Sequence, residues 1–178
     1  SSRSLRLFLP ALLVLAACSA KHVTRNPLDE AMRRIADGDG DARDLALAGL
    51  GVYVRDGKPD EAAKLIDRAL ESDPVDPWAL FGRAELARRA LDSRGQALTA
   101  LKICEKAPTH PLCAVGARIA QEYVGDSPAF DAELARGSLA ALEAGARGDA
   151  AQTLRSIVAQ VRYHAGDEAG AWAQYEAA

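Results

Sequence analysis

Gly57-Lys58-Pro59-Asp60-Glu61-Ala62-Ala63 and Ala69-Leu70-Glu71-Ser72-Asp73-Pro74 bracket the stretch that decides the fold. Before it, Leu47, Leu50, Tyr53 and Val54 fall at the three- and four-residue intervals of one helix face. Arg55-Asp56-Gly57-Lys58-Pro59 breaks that helix, and Gly57 suits the left-handed turn that follows a helix end. Asp60 and Glu61 then open a second helix, where its N-terminal dipole favours acids. Leu65, Ile66, Ala69 and Leu70 form its apolar face. Asp73-Pro74 stops it, because a residue before proline avoids helical geometry. The unit from Asp44 to Pro74 therefore reads as a helix-turn-helix, with Ala62 and Ala69 small enough to let the two helices approach closely.

Working outward, the same punctuation returns at one interval. Pro74 and Pro108, Pro77 and Pro111, and Gly82 and Gly116 are each 34 residues apart. Matches at a fixed period signal a repeat architecture. The run Gly57-x-x-Asp60-Glu61-Ala62, with Tyr53 before it and Ala69-Leu70-Glu71-x-Asp73-Pro74 after it, resembles the tetratricopeptide repeat. That resemblance implies an all-α fold, an α-solenoid of stacked helix pairs whose concave groove, lined by first helices, binds peptides or protein segments.

A second copy starts at Trp78-x-x-x-Gly82, with Gln96-Ala97-x-x-Ala100-Leu101-x-x-Cys104 as its second helix. Leu91-Asp92-Ser93-Arg94-Gly95 lies late for the turn, which predicts a first helix longer by about three residues, roughly one turn. The third copy runs from Pro111 to about Gly145. Leu112, Val115, Gly116 and Ile119 form one face, Gly125-Asp126-Ser127-Pro128 a turn, and Phe130, Leu134, Leu139 and Leu142 the next face. In the fourth copy Leu154, Ile157, Val158 and Val161 form a face, and Gly166-Asp167-Glu168-Ala169-Gly170-Ala171 repeats the turn and helix entry before Trp172 and Tyr175. Leu28 to Asp37 is a short amphipathic segment, with Leu28, Met32 and Ile35 placed to cap the first repeat. Gly38-Asp39-Gly40-Asp41 reads as a turn. It lacks the later glutamate that a calcium loop requires.

The N-terminus carries a different kind of signal. Arg3 and Arg6 precede an uncharged, leucine-rich run from Leu7 to Ala17, too short to span a bilayer. Small residues close the run just before Cys18, the layout of a secretory signal. Leu15-Ala16-Ala17-Cys18 resembles the lipobox of bacterial lipoproteins. The resemblance implies a signal peptide over residues 1–17, acylation of Cys18, a lipidated tether over 18–27 and a repeat domain over 28–178. Ser19 after the cysteine implies the outer membrane, facing the periplasm.

The 22 basic residues, less Arg3 and Arg6, against 25 acids leave residues 18–178 at −5. No basic stripe offers itself to nucleic acid. Cys104 and Cys113 remain as an even pair, placed near the end of one helix and the start of the next. They are either a disulfide of an oxidising compartment or two buried thiols, and Cα geometry decides between the two.

His22, His110 and His164 form no ligand pair, no cysteine–histidine set has zinc spacing, and no nucleophile elbow or phosphate loop is present. The expectation is no enzyme, no cofactor, no metal and no small-molecule substrate. It is instead a membrane-anchored scaffold for a protein or peptide partner in the cell envelope. The alternative is the N-terminal scaffold of a larger envelope protein. For the groove, the resemblance of Trp78-x-x-x-Gly82 to the family's first helix implies that Arg83 lies on the concave side, and helical spacing from Asp44 puts Leu47 and Val54 on the same side with Arg55 at its edge, a mixed apolar and basic strip.

Overall fold

The computed structural model describes residues 26–126 and 131–178, and within them the chain is helical, with no strand. The helices are α1 (Pro27–Asp37), α2 (Ala42–Asp56), α3 (Pro59–Ser72), α4 (Pro77–Arg89), α5 (Ser93–Lys106), α6 (Pro111–Asp126), α7 (Ala132–Glu143), α8 (Gly148–His164) and α9 (Glu168–Glu176).

Local chemistry sets most of these limits. Asp41, Asp76, Asp92, Asp131 and Asp167 each stand at an N-cap and accept a first-turn N–H, satisfying donors the helix itself leaves free. Pro27, Pro59 and Pro77 occupy first turns, where a missing N–H costs nothing. Gly57 closes α2 at φ 65°. The aspartate-glycine run forms the turn between α1 and α2. Gly38 ends α1 at φ 82°, and Asp41 opens α2 in a reciprocal capping box with Asp44.

The expected lengthening of the second copy's first helix is not found. Helix α4 has 13 residues against 15 in α2. The turn lies where the repeat interval puts it, 34 residues after Gly57, but Leu91 occupies it at φ 60°. Gly95 belongs to α5, where its N–H donates to the Asp92 carboxylate at 2.8 Å. The first turn of α9 repeats this cap, with Gly170 N–H on Asp167 at 2.9 Å. Gly125 and Asp126 likewise fall inside α6 rather than in a turn, and Ser127, Pro128 and Phe130 lie outside the described residues.

Each of α2–α3, α4–α5 and α8–α9 packs as a hairpin, and α4 also lies on both α2 and α3. Helix α6 packs on α5 and α8. Helix α7 leans on α5 and α8 rather than on α6, its neighbour in sequence, so the third pair departs from the others.

Two glycines explain the close junctions. A Cβ on Gly82 would come within 2.7 Å of Ile66 Cδ1, and one on Gly116 would collide with the Ala100 carbonyl oxygen. Ile66 and Ala100 are themselves 34 residues apart, and both are fully buried. Between the larger contacts run buried alanines, including Ala46, Ala62, Ala69, Ala97 and Ala117. They add little apolar area individually but bring helix backbones near enough for dense packing.

The largest core cluster joins α5 to α8 through Leu101, Leu134, Leu154 and Ile157. A smaller one joins Leu45, Ala46, Ala69 and Ala79 across α2, α3 and α4. Helix α1 covers the outer side of α2 with Leu28 against Gly51. Arg34 forms a two-point ion pair with the buried Asp44. Met32, expected on the covering face, is 39% exposed, because Leu28, Ala31 and Ile35 take the inward side.

Candidate functional site

The four residues expected to share one strip lie against different partners. Arg83, on α4, pairs with Asp67 of α3. Arg55, at the end of α2, pairs with Asp29 of α1 at 3.5 Å and with its neighbour Asp56 at 3.0 Å. Leu47 is half-buried, and Val54 is 78% exposed. The physical reason lies in the inward face of α2. Leu45, Ala46, Ala48, Gly49 and Val52 fill it, with Gly49 admitting Ile66 at 2.8 Å from where a Cβ would stand. Leu47 and Val54 are rotated to its margin and beyond.

Arg83 instead lines a groove of about 580 Å³ between α3, α4 and α5. Ala63, Leu86, Ala87 and Thr99 supply its small and apolar walls. Asp60, Arg83, Arg89 and Asp92 place charges of both signs around it. The groove exists because α3 and α5 carry short side chains on the side that faces away from the core. Its α3 and α5 walls were missed in the sequence reading. The available signal was Ala63 and Thr99, small residues beside the fully buried Ala62 and Ala100. Chemically the groove offers apolar contact with opposite charges at its rim.

Around it, ion pairs and caps fix the helices. Arg94 on α5 reaches Asp131 at 2.8 Å and Glu133 at 2.6 Å, tying the start of α7 to the start of α5. The hydrogen bonds to Asp131 and Glu133 raise the Arg94 pKa further above its ordinary value. The Arg34 hydrogen bonds hold Asp44 below the usual carboxylate range, against the opposing effect of its burial. Asp76 is shifted the other way. Burial at the start of α4 raises its pKa, and the hydrogen bond it accepts from Ala79 N–H at 2.8 Å offsets only part of that.

The structure pairs Cys104 and Cys113 as a disulfide with Cα atoms 4.5 Å apart, joining the end of α5 to the first turn of α6. Both are buried. His110, in the same connection, accepts the Leu112 N–H through Nδ1 at 3.2 Å and stands edge-on to Trp78, ring centres 6.1 Å apart. Among the described residues no group of His, Cys, Asp and Glu is placed to hold a metal ion. Among them, too, no helix is long and apolar enough to cross a membrane. Cys18 and the residues around it lie outside the described residues.

Compared with known proteins, the chain matches no protein family, no curated protein and no solved structure.

Proposed function

We propose that this chain is a lipid-anchored scaffold of the bacterial cell envelope, built from tetratricopeptide-like helix pairs stacked as an α-solenoid, and that it holds a protein segment rather than transforming a substrate. The observation that carries the reading is the repeated junction. Gly82 over Ile66 and Gly116 over Ala100 place the first helix of one pair on the second helix of the pair before, at the same 34-residue interval. Stacking of this kind generates extended surfaces that suit protein partners. The groove between α3, α4 and α5, with an apolar floor and a charged rim, is the candidate contact for the partner.

The lipobox-like Leu15-Ala16-Ala17-Cys18 supports the anchor. Several acyl chains on Cys18 would make attachment effectively permanent, since each buried CH₂ contributes about 0.8 kcal/mol. A Cys104–Cys113 bond fits the oxidising compartment that such an export signal implies.

Two measurements test the reading. Cys18→Ser should abolish fatty-acid labelling and release the protein from the membrane fraction, and retained labelling refutes the anchor. A photo-cross-linking residue at Thr99, in the groove, should capture a discrete envelope protein, whereas one at Val54 should not. Equal capture at both sites refutes the groove.

A further inference from the structure

The turn between α4 and α5 carries a residue that is disfavoured twice over. Leu91 holds φ 60°, in the left-handed region that side chains other than glycine rarely adopt, and it is 89% exposed. Gly57, at φ 65°, and Gly166, at φ 82°, occupy the corresponding place after α2 and α8. The backbone at Leu91 is held by two hydrogen bonds, Leu91 N–H to the Arg88 carbonyl at 3.1 Å and Asp92 N–H to the Ala87 carbonyl at 3.0 Å. An exposed leucine alone calls for no explanation. One kept in water at a strained backbone position does, since such strain collects at functional sites.

Leu91 does not stand by itself. Among the described residues, Leu91 and Val54, which is 78% exposed, are the two large apolar side chains most open to water. Both lie at one end of the molecule. A single groove is lined by Pro59 and Asp60, by Ala90 and by Asp92 and Gly95, so α3 begins where α4 ends and α5 begins. Val54 is in the last turn of α2, which leads through Gly57 into that start of α3. The Arg55–Asp29 pair, at 3.5 Å, brings the beginning of α1 to the same end. The chain from Cys18 therefore enters at the end that carries Val54 and Leu91. Residues 18–26 can reach at most about 30 Å, so an acyl anchor on Cys18 keeps this end within that distance of the bilayer.

Charge does not draw this end to lipid. Arg55 is paired with Asp29 and Asp56, and Lys58 with Glu61. Arg88 is paired with Glu85, and Arg94 with Asp131 and Glu133. Arg89 forms no ion pair among the described residues, but Asp60 and Asp92 line the same groove. Acids outnumber bases here, so attraction has to come from the apolar side chains. A weak contact suffices, because a tether on the same chain makes it intramolecular and raises its effective concentration.

We propose that the end of the molecule carrying Leu91 and Val54 rests on the lipid surface, with Leu91 seated at the boundary of headgroups and acyl chains, so that the anchored scaffold holds one orientation on the membrane. The inference rests on the anchor reading for the presence of a bilayer, and it names the surface of the folded chain that meets it.

The test uses the full lipidated chain in phosphatidylcholine vesicles, with a solvatochromic amino acid introduced genetically in place of Leu91, Val54 or Val75, so that no cysteine is altered. Val75 is the control, since it is 44% exposed between α3 and α4 at the opposite end. In place of Leu91 the emission should shift to the blue and fall at least twofold when the lipid carries brominated acyl chains. In place of Val54 the fall should be smaller, and in place of Val75 absent. Equal quenching at the Leu91 and Val75 positions, or none at the Leu91 position, overturns the proposal. So does shielding that requires phosphatidylglycerol, which would make Arg89 and not Leu91 the contact. A photo-cross-linking residue in place of Leu91 in intact cells should yield lipid adducts, and protein adducts instead of them overturn the proposal in favour of a protein partner. Leu91→Gly relieves the backbone strain and should raise Tm while at least halving the quenching at the Val54 position. A lower Tm would show that the leucine serves the fold, and overturns the proposal. If Cys18 takes no fatty-acid label, the anchor reading falls and the proposal with it. If Cys18 is labelled and the Leu91 position still reports water, the proposal falls alone.

Discussion

At its N-terminal end the described molecule lays α1 across α2, with Leu28 filling the space beside Gly51 and Arg34 neutralising the buried Asp44. At its C-terminal end α9 leaves Trp172 and Tyr175 in water. Helix α9 nevertheless enters through the same Asp-x-x-Gly cap as α5. What separates them is the neighbour. Burial in a repeated helix pair is a property of the junction, so one register position is core in α3 and surface in α9.

The sharpest way to break that comparison is to truncate the same register position at a covered and at a bare site. Ile66→Ala should cost about 2–5 kcal/mol, since a fully buried side chain is removed beneath Gly82. Chemical denaturation measures it, and a loss below about 1 kcal/mol would mean that the α3–α4 junction is loosely packed.

The next largest effect is expected at the junction glycine itself. Gly116→Ala forces a methyl group against a backbone carbonyl, which cannot swing aside as a side chain can. Overpacking of this kind costs about 1–3 kcal/mol. At about 2–4 °C per kcal/mol for a domain of this size, calorimetry should record a clear fall in Tm. Gly82→Ala meets only the end of Ile66 and should be milder.

Acid should separate the two ends by selectively loosening the first. Because the folded pKa of Asp44 is depressed, its contribution is complete above the ordinary carboxylate range and is lost as pH falls through the folded value. Amide hydrogen exchange in α1 should therefore accelerate below about pH 4, before α8 and α9 respond. Asp76 works in the opposite sense. Its raised pKa means the folded state holds its proton more tightly, so its contribution favours folding below the unfolded value and fades as pH rises through the folded one. Simultaneous loss of protection at both ends would show that the Arg34–Asp44 pair does not govern the cap.

The smallest effect belongs to the bare face. Tyr175→Ala should change stability by no more than about 0.5 kcal/mol, as exposed substitutions usually do. A loss comparable to that of Ile66→Ala would mean that Tyr175 is already buried in the isolated protein in solution, and the contrast between the ends would disappear.

Much of the helical outline was legible locally. Pro59, Gly57 and Asp73-Pro74 mark ends because proline lacks an N–H and glycine tolerates positive φ, and neither depends on tertiary context. The turn at Leu91 was not legible, because leucine carries no preference for the left-handed region it occupies. Read from sequence, the turn spread over Leu91 to Gly95, whereas α5 already begins at Ser93. The groove was only partly legible. Arg83 was singled out, but helical spacing within α2 and α4 says nothing about how the two helices are rotated against α3 and α5.

By itself the sequence determined helix content, most caps, the 34-residue interval and the pairing of chemically small residues with close approach, all of which follow from backbone sterics and short-range hydrogen bonding. Tertiary structure alone decided that α7 leans on α5 and α8, that Arg83 faces the α3–α4–α5 groove while Val54 faces water, and that Tyr175 lies open where Ile66 is closed. Those outcomes depend on which helix comes to lie on which, a balance of apolar burial and side-chain volume summed over residues distant in sequence.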